Sequence, residues 1–187
     1  GVAISSQGES SVSEGYVYEA INGASNEKLP VIFVFQDNGY GISVPKADQT
    51  ANRKVADNFT GFKNLKIFHC NGKDVFDSMN TMFEAKAYVE KHEHPVIVQA
   101  NCVRIHSHSN SDRHELYRDD YEMNYVAEYD PVAKYRRLLL RYDRFTEEEI
   151  TAMEEEAKEI VKKAHRAAMK AADPTPESIY DFVIPEP

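Results

Sequence analysis

Two short segments carry the residue types best suited to holding an ion. Gly8-Glu9-Ser10-Ser11 and Asp37-Asn38-Gly39-Tyr40 each follow an apolar, strand-like run, and one helix's worth of sequence separates them. Glu9 and Asn38 are 29 residues apart. One carboxylate and one amide oxygen at the ends of two neighbouring strands could share a small hard cation. Magnesium takes about six oxygens, usually one or two from protein and the rest from phosphate and water. Glu9 repels a phosphate directly, but it can hold the cation that holds the phosphate. Gly8 permits a tight turn, and Ser10, Ser11 and the next backbone N–H groups would face outward from a helix N-terminus, an anion-binding arrangement. The alternative for this segment is an ordinary polar loop.

A third polar segment follows another apolar run. His106 and His108 form an H-x-H pair that shares one face if the segment is extended. With Asp112 and His114 they could be read as a zinc site, and hence as a zinc-dependent hydrolase. His92 and His94 flank a turn, and His69 lies in a strand as a core residue.

The elements that must position these residues alternate. Residues 2–5 read as a short buried strand. Ser13 is the expected N-cap, with Glu14 in the first turn, of a helix to about residue 24. Residues 29–36 (LPVIFVFQ) form a near-continuous apolar run, as in a parallel strand covered on both faces. Residues 38–60 read as a loop with a short helix, and 65–70 as a strand. Asp74 caps a predicted helix to about residue 91 with Val75, Met79, Met82 and Phe83 on one face. Residues 95–105 read as a long strand, followed by a polar loop over 106–120. Beyond it the chain reads as helical. Pro131 starts one helix. Another runs over about 146–172 with Ile150, Met153, Ala157, Ile160, Ala164 and Ala168 in a stripe, an acidic start and a basic end. The expectation is an α/β fold, a parallel sheet with helices on both faces, organised as an α/β core (1–129), C-terminal helices of the same domain (130–173) and a proline-containing tail or linker (174–187). All three polar segments follow strand ends, where such sheets bind ligands. Opening directly on a strand, the sequence reads as a piece of a longer polypeptide.

A formal charge of −9 argues against a nucleic-acid partner. Cys70 and Cys102 lie in apolar runs and read as free thiols in a reducing cytoplasm. No apolar run reaches the length of about 20 residues that crosses a membrane, and the first residues show no signal-peptide pattern.

Residues 8–22 (GESSVSEGYVYEAIN) resemble the GDGATSEGDFYEALN-type segment of thiamin diphosphate-dependent 2-oxo acid dehydrogenases, the decarboxylating first components of multienzyme complexes. Residues 37–43 (DNGYGIS) resemble their ENNGYAIS-type segment, and residues 103–112 (VRIHSHSNSD) their RYHGHSMSD-type loop. The likeness spans essentially the whole chain, in the family's order and spacing.

The resemblance implies the alpha part of such an enzyme, with a thiamin diphosphate-binding fold. Glu9, the Asn38 side chain and the Tyr40 carbonyl would ligate magnesium. The Ser10 and Ser11 backbone would face the diphosphate. Gln36 would stand where some branched-chain members carry a phosphate-contacting arginine. His108 would be the active-site histidine, and Ser109 matches a serine phosphorylated in some eukaryotic members. It further implies decarboxylation of a 2-oxo acid, transfer of the acyl group to a lipoyl-bearing acyltransferase, a beta-type pyrimidine-binding subunit or fused domain, and an oligomer. Three residues depart from the pattern: Glu9 for Asp, Ser10 for the last Gly of the triplet, and Asp37 for the first Asn. Glu9, shared with some branched-chain members, favours 2-oxoisovalerate-type substrates over pyruvate. Ser10 and Asp37 leave open a non-catalytic assembly domain with a decayed site. Without the partner's residues, the isolated chain is expected to be inactive.

Overall fold

The computed structural model describes residues 1–181 and 183. Four strands form one parallel sheet: β1 (Ala3–Gly8), β2 (Val31–Asp37), and, further along the chain, β5 (Lys66–Cys70) and β6 (Val96–Asn101), in the spatial order β1-β2-β6-β5. Between them, β3 (Tyr40–Gly41) and β4 (Val44–Pro45) make a small antiparallel hairpin. Helix α1 (Gly15–Glu27) connects β1 to β2, and α2 (Val75–His92) connects β5 to β6.

The sheet is covered on both faces because β2 is apolar on both. Phe33 and Phe35 join Val17, Ile21 and Ala24 of α1 with Val55, Ala56 and Phe59 of a 3₁₀ turn. Ile32 packs on the opposite face with Ala85 and Val89 of α2, Val96 and Val98. Burying each such large side chain contributes about 1.5–3 kcal/mol. The register aligns Gly8 with Gln36 and Asp37 with Asn101. The segments that begin with Glu9, Asn38 and Cys102 therefore leave the sheet at one edge.

Several local expectations change. The Ser13 cap gives way to Glu14, because Ser11–Ser13 form a separate 3₁₀ turn. Asp74 does cap α2, accepting from the N–H groups of Phe76 and Asp77 at 3.0 and 3.2 Å. The face of α2 turned to the sheet, however, carries Thr81, Ala85 and Val89, while Met79 and Phe83 are exposed. Small and β-branched residues allow helix and sheet to approach closely, so proximity rather than hydrophobicity sets the buried face. The strand expected over 95–105 ends at Asn101, and residues 102–105 are irregular. Helix α3 (Asp120–Glu128) is capped by Asp119, which accepts from Glu122 N at 2.7 Å. In α4 (Pro131–Arg141), Asp130 accepts from Val132 N at 2.9 Å beside the expected N1 proline.

The chain divides into two compact units, Gly1–Arg137 and Leu138–Pro187. The second contains α5 (Glu147–Ala168), started by a Thr146–Glu149 capping box with Glu147, Glu148 and Glu149 in its first turn. Ile150 is buried, whereas Met153 and Ile160 of the same stripe are exposed. Pro176–Tyr180 is a 3₁₀ turn, and the prolines at 185 and 187 lie outside the described residues. Among the described residues, no helix is long and apolar enough to cross a membrane.

Candidate active site

Glu9 stands one residue past β1 and is 2% exposed. Its Oε2 accepts from the Asn38 N–H at 3.1 Å, which ties the first segment to the second. Its Oε1 is buried and has no partner among the described residues. Burial pushes the Glu9 carboxyl above its ordinary value of 4.5, and the Asn38 N–H offsets this only in part. A buried carboxylate oxygen without a partner is costly; a cation at Oε1 removes that cost. The donor set of one carboxylate, one amide oxygen and one carbonyl suits magnesium.

The second segment is built to present oxygens. Gly39 takes φ +86°, which favours glycine, and Asn38 Oδ1 accepts from Tyr40 N at 3.2 Å across the turn. Lys46 N donates to Gly39 O at 2.8 Å, so Tyr40 and Pro45 form a non-hydrogen-bonded pair. The Tyr40 carbonyl therefore points away from β4. In the first segment, the backbone N–H groups of Ser10 and Ser11 donate to no group among the described residues.

Asp37 is not loose negative charge beside this site. It is 4% exposed. Its Oδ2 accepts from Lys46 Nζ at 2.6 Å and from Gln99 Nε2 at 2.8 Å, and its Oδ1 from Gly39 N at 3.2 Å. Fully buried Gln99 in turn accepts from Ala56 N at 2.9 Å. The Ser10 hydroxyl, by contrast, is buried without a hydrogen-bond partner among the described residues. Of the two departures from the family pattern, Asp37 thus has a hydrogen-bonded seat and Ser10 has none.

His108 lines one cavity of about 590 Å³ together with Glu9, Ser10, Ser11, Asn38 and Tyr40. Gln36 does not line it. Although its backbone is in register with Gly8, Gln36 lines a separate cavity of about 310 Å³ with Lys73, Cys102 and Arg104. His106 and Ser109 are exposed.

The zinc arrangement does not assemble. No group of three His, Cys, Asp or Glu residues suited to a metal occurs among the described residues. The chain bends at His106 after β6 has ended, so the shared-face argument for His106 and His108 fails. Asp112 instead accepts from His108 N at 2.7 Å, and buried His114 lies 3.3 Å from Arg118 Nη1. Cys70 and Cys102 are free thiols, and burial pushes Cys102 up to about 11, which keeps it protonated and unreactive.

A tether for the histidine loop was missed from sequence. Arg104 donates to Ile42 O at 2.8 Å and to the Tyr117 hydroxyl at 2.6 Å. Tyr117 donates to Asp112 at 2.7 Å. Arg118 and Glu122 form an ion pair at 3.0 Å, and Tyr40 donates to Glu122 at 2.9 Å. Arg104 and Arg118 both stand over the Tyr40 ring, each 5.5 Å from its centroid. Arg118 lies just before the Asp119 cap of α3, and its pairing with Glu122, like those of Asp112 with His108 and Tyr117, spans only four or five residues across irregular backbone, while Tyr40–Glu122 and Arg104–Ile42 are long-range.

The family model described as "Dehydrogenase E1 component" matches residues 1–177. The chain is 31% identical over 180 residues to the mitochondrial 2-oxoisovalerate dehydrogenase subunit alpha of Mus musculus, covering 96% of this chain and 40% of that protein. It is 31% identical over 176 residues to 2-oxoisovalerate dehydrogenase subunit alpha of Bacillus subtilis (strain 168), covering 94% and 53%. It is 30% identical over 173 residues to the pyruvate dehydrogenase E1 component subunit alpha of Rickettsia bellii (strain RML369-C), covering 92% and 52%. The chain thus spans about half the length, or less, of these curated relatives.

Proposed function

The chain belongs to the dehydrogenase E1 component family, and from that membership we propose that it forms part of the alpha subunit of a thiamin diphosphate-dependent 2-oxo acid dehydrogenase. The observation that carries the proposal is the orphaned, buried Oε1 of Glu9 in a cavity that Asn38, Tyr40 and His108 also line. Glu9, the Asn38 side chain and the Tyr40 carbonyl hold magnesium. The N–H groups of Ser10 and Ser11, without acceptors among the described residues, would hold the diphosphate. Thiamin diphosphate supplies the electron sink for decarboxylation. His108 stands at the rim of the same cavity, placed to exchange a proton with the reacting substrate.

The acyl group passes to a lipoyl-bearing acyltransferase, and a beta-type subunit or fused domain supplies the groups that activate the cofactor's pyrimidine. The isolated chain is therefore inactive. The substrate is a branched-chain 2-oxo acid; the Glu9 variant supports this, while relatives named for 2-oxoisovalerate and for pyruvate match at similar identity. The hydrogen bonds that seat Asp37 support a working site over a decayed one.

The test is titration of the full-length protein with thiamin diphosphate and magnesium, together with its beta-type partner. Glu9→Ala and Asn38→Ala should each weaken magnesium-dependent binding by about 10–100-fold. Wild-type binding by both variants would remove the metal-site assignment. The ratio of kcat/KM for 2-oxoisovalerate against pyruvate decides the substrate.

A further inference from the structure

Ser10 and Gly41 touch where the diphosphate segment passes under the β3–β4 hairpin. A Cβ placed on Gly41 would lie 2.9 Å from the Ser10 Cβ and 2.7 Å from Gln49 Nε2, and closest of all to the Ser10 hydroxyl. Gln49 and the hydroxyl can rotate aside. The Ser10 Cβ cannot, because its backbone fixes it, so relieving that contact means moving one whole segment away from the other. The Ser10 side chain thus occupies the space that a side chain at position 41 would need.

The quoted family segments have the opposite arrangement. GDGATSEGDFYEALN carries Gly at the position of Ser10, and ENNGYAIS carries Ala at the position of Gly41. In those segments the one Cβ of the two positions belongs to the hairpin; in this chain it belongs to the diphosphate segment. The Ser10 hydroxyl is buried without a partner, so a hydrogen bond does not account for the serine. What the serine does here is fill the space beside Gly41.

We propose that Ser10 and Gly41 are a coupled pair of positioning residues, which set the distance between the diphosphate-binding N–H groups and the metal-binding oxygens of the hairpin. The functional half of this proposal rests on the cofactor reading above; the packing half does not. Glu9 and the Tyr40 carbonyl are the immediate chain neighbours of the pair. Any displacement at the contact therefore reaches two of the three metal ligands directly.

The experiment is a double-mutant cycle in the full-length protein with its beta-type partner, read in two ways. Melting temperature without cofactor reports the packing. Gly41→Ala should lower it by about 5 °C, and adding Ser10→Gly should restore most of the loss. Adding Ser10→Ala, which keeps the Cβ, should restore less. Magnesium-dependent thiamin diphosphate affinity reports the positioning. Gly41→Ala should weaken it about tenfold, and the Ser10→Gly/Gly41→Ala pair should regain it. If the pair melts no higher than Gly41→Ala alone, the coupling is absent. If melting is rescued but affinity is not, the pair packs without positioning the ligands and the proposal fails. If the wild type itself does not bind cofactor while the melting temperatures remain coupled, the cofactor reading fails and the packing relation stands.

Discussion

Glu9 and Asp37 sit at strand ends with 2% and 4% exposure, whereas His106, His108 and Ser109 lie exposed on a segment that left the sheet at Asn101. The first pair is held by the sheet itself. Parallel register sets their level, and short bonds from Asn38 N, Gln99 and Lys46 set their orientation. The histidine loop instead hangs from side chains, chiefly Asp112, Tyr117 and Arg104. The Glu9–Asp37 side is thus prebuilt and carries a buried electrostatic cost, while the histidine side is assembled from side-chain polar bonds. Damage to the first should show in metal affinity and global stability, damage to the second in local order.

The largest difference should come from Glu9→Gln. It keeps the shape but removes the charge, so magnesium affinity in the full-length protein should fall about 100-fold. Melting temperature without metal should rise, because the unpartnered buried charge is gone. A loss of both affinity and stability would mean that Glu9 is structural and would erase the contrast. Next is Lys46→Ala, which leaves Asp37 buried with only neutral donors. Removing one partner of a buried pair costs about 3–5 kcal/mol, here at the lower end because Lys46 keeps 22% exposure. Denaturant unfolding measures it. Asp112→Ala should hardly change global stability, yet the His108 amide should exchange with solvent about tenfold faster. If Asp112→Ala destabilises more than Lys46→Ala, the two regions are not built as described.

The smallest effect is in pH, and it has opposite signs on the two sides. Glu9 is raised by burial, so the metal-free native state favours its neutral form. Its contribution is most favourable below 4.5 and declines as pH rises from there through the raised native value. Asp112 is held below its ordinary 3.8, first by the His108 N–H. Its contribution is present above 3.8 and is lost as pH falls through the depressed native value. Magnesium should reverse the Glu9 trend, because a ligating carboxylate must be deprotonated, and leave the Asp112 trend unchanged, which amide exchange at each loop can follow across pH.

What was legible in the sequence follows the same division. The apolar run 29–36, the Asp74 cap and the three motif segments gave the sheet, the helix and the positions of Glu9, Asn38 and His108, because these depend on local pattern. The Asp37–Lys46–Gln99 network and the Arg104–Tyr117–Asp112 tether join residues far apart in the chain or across loops, and no spacing rule encodes them. Gln99 is an amide in a largely apolar strand, and only the fold shows which groups it serves. Met79 and Phe83 misled because hydrophobicity alone does not choose a helix face. The Gln36 backbone level was legible; its cavity was not.

The central claim is that Glu9, Asn38 and Tyr40 hold one divalent cation that in turn holds a diphosphate. Crystals of the full-length protein grown with thiamin diphosphate and manganese in place of magnesium test it by anomalous scattering. The account predicts one peak within about 2.2 Å of a Glu9 carboxylate oxygen, Asn38 Oδ1 and the Tyr40 carbonyl, with the diphosphate completing its shell beside Ser10 and Ser11. A peak bound elsewhere, or a diphosphate seated with Glu9 uncoordinated, would contradict it.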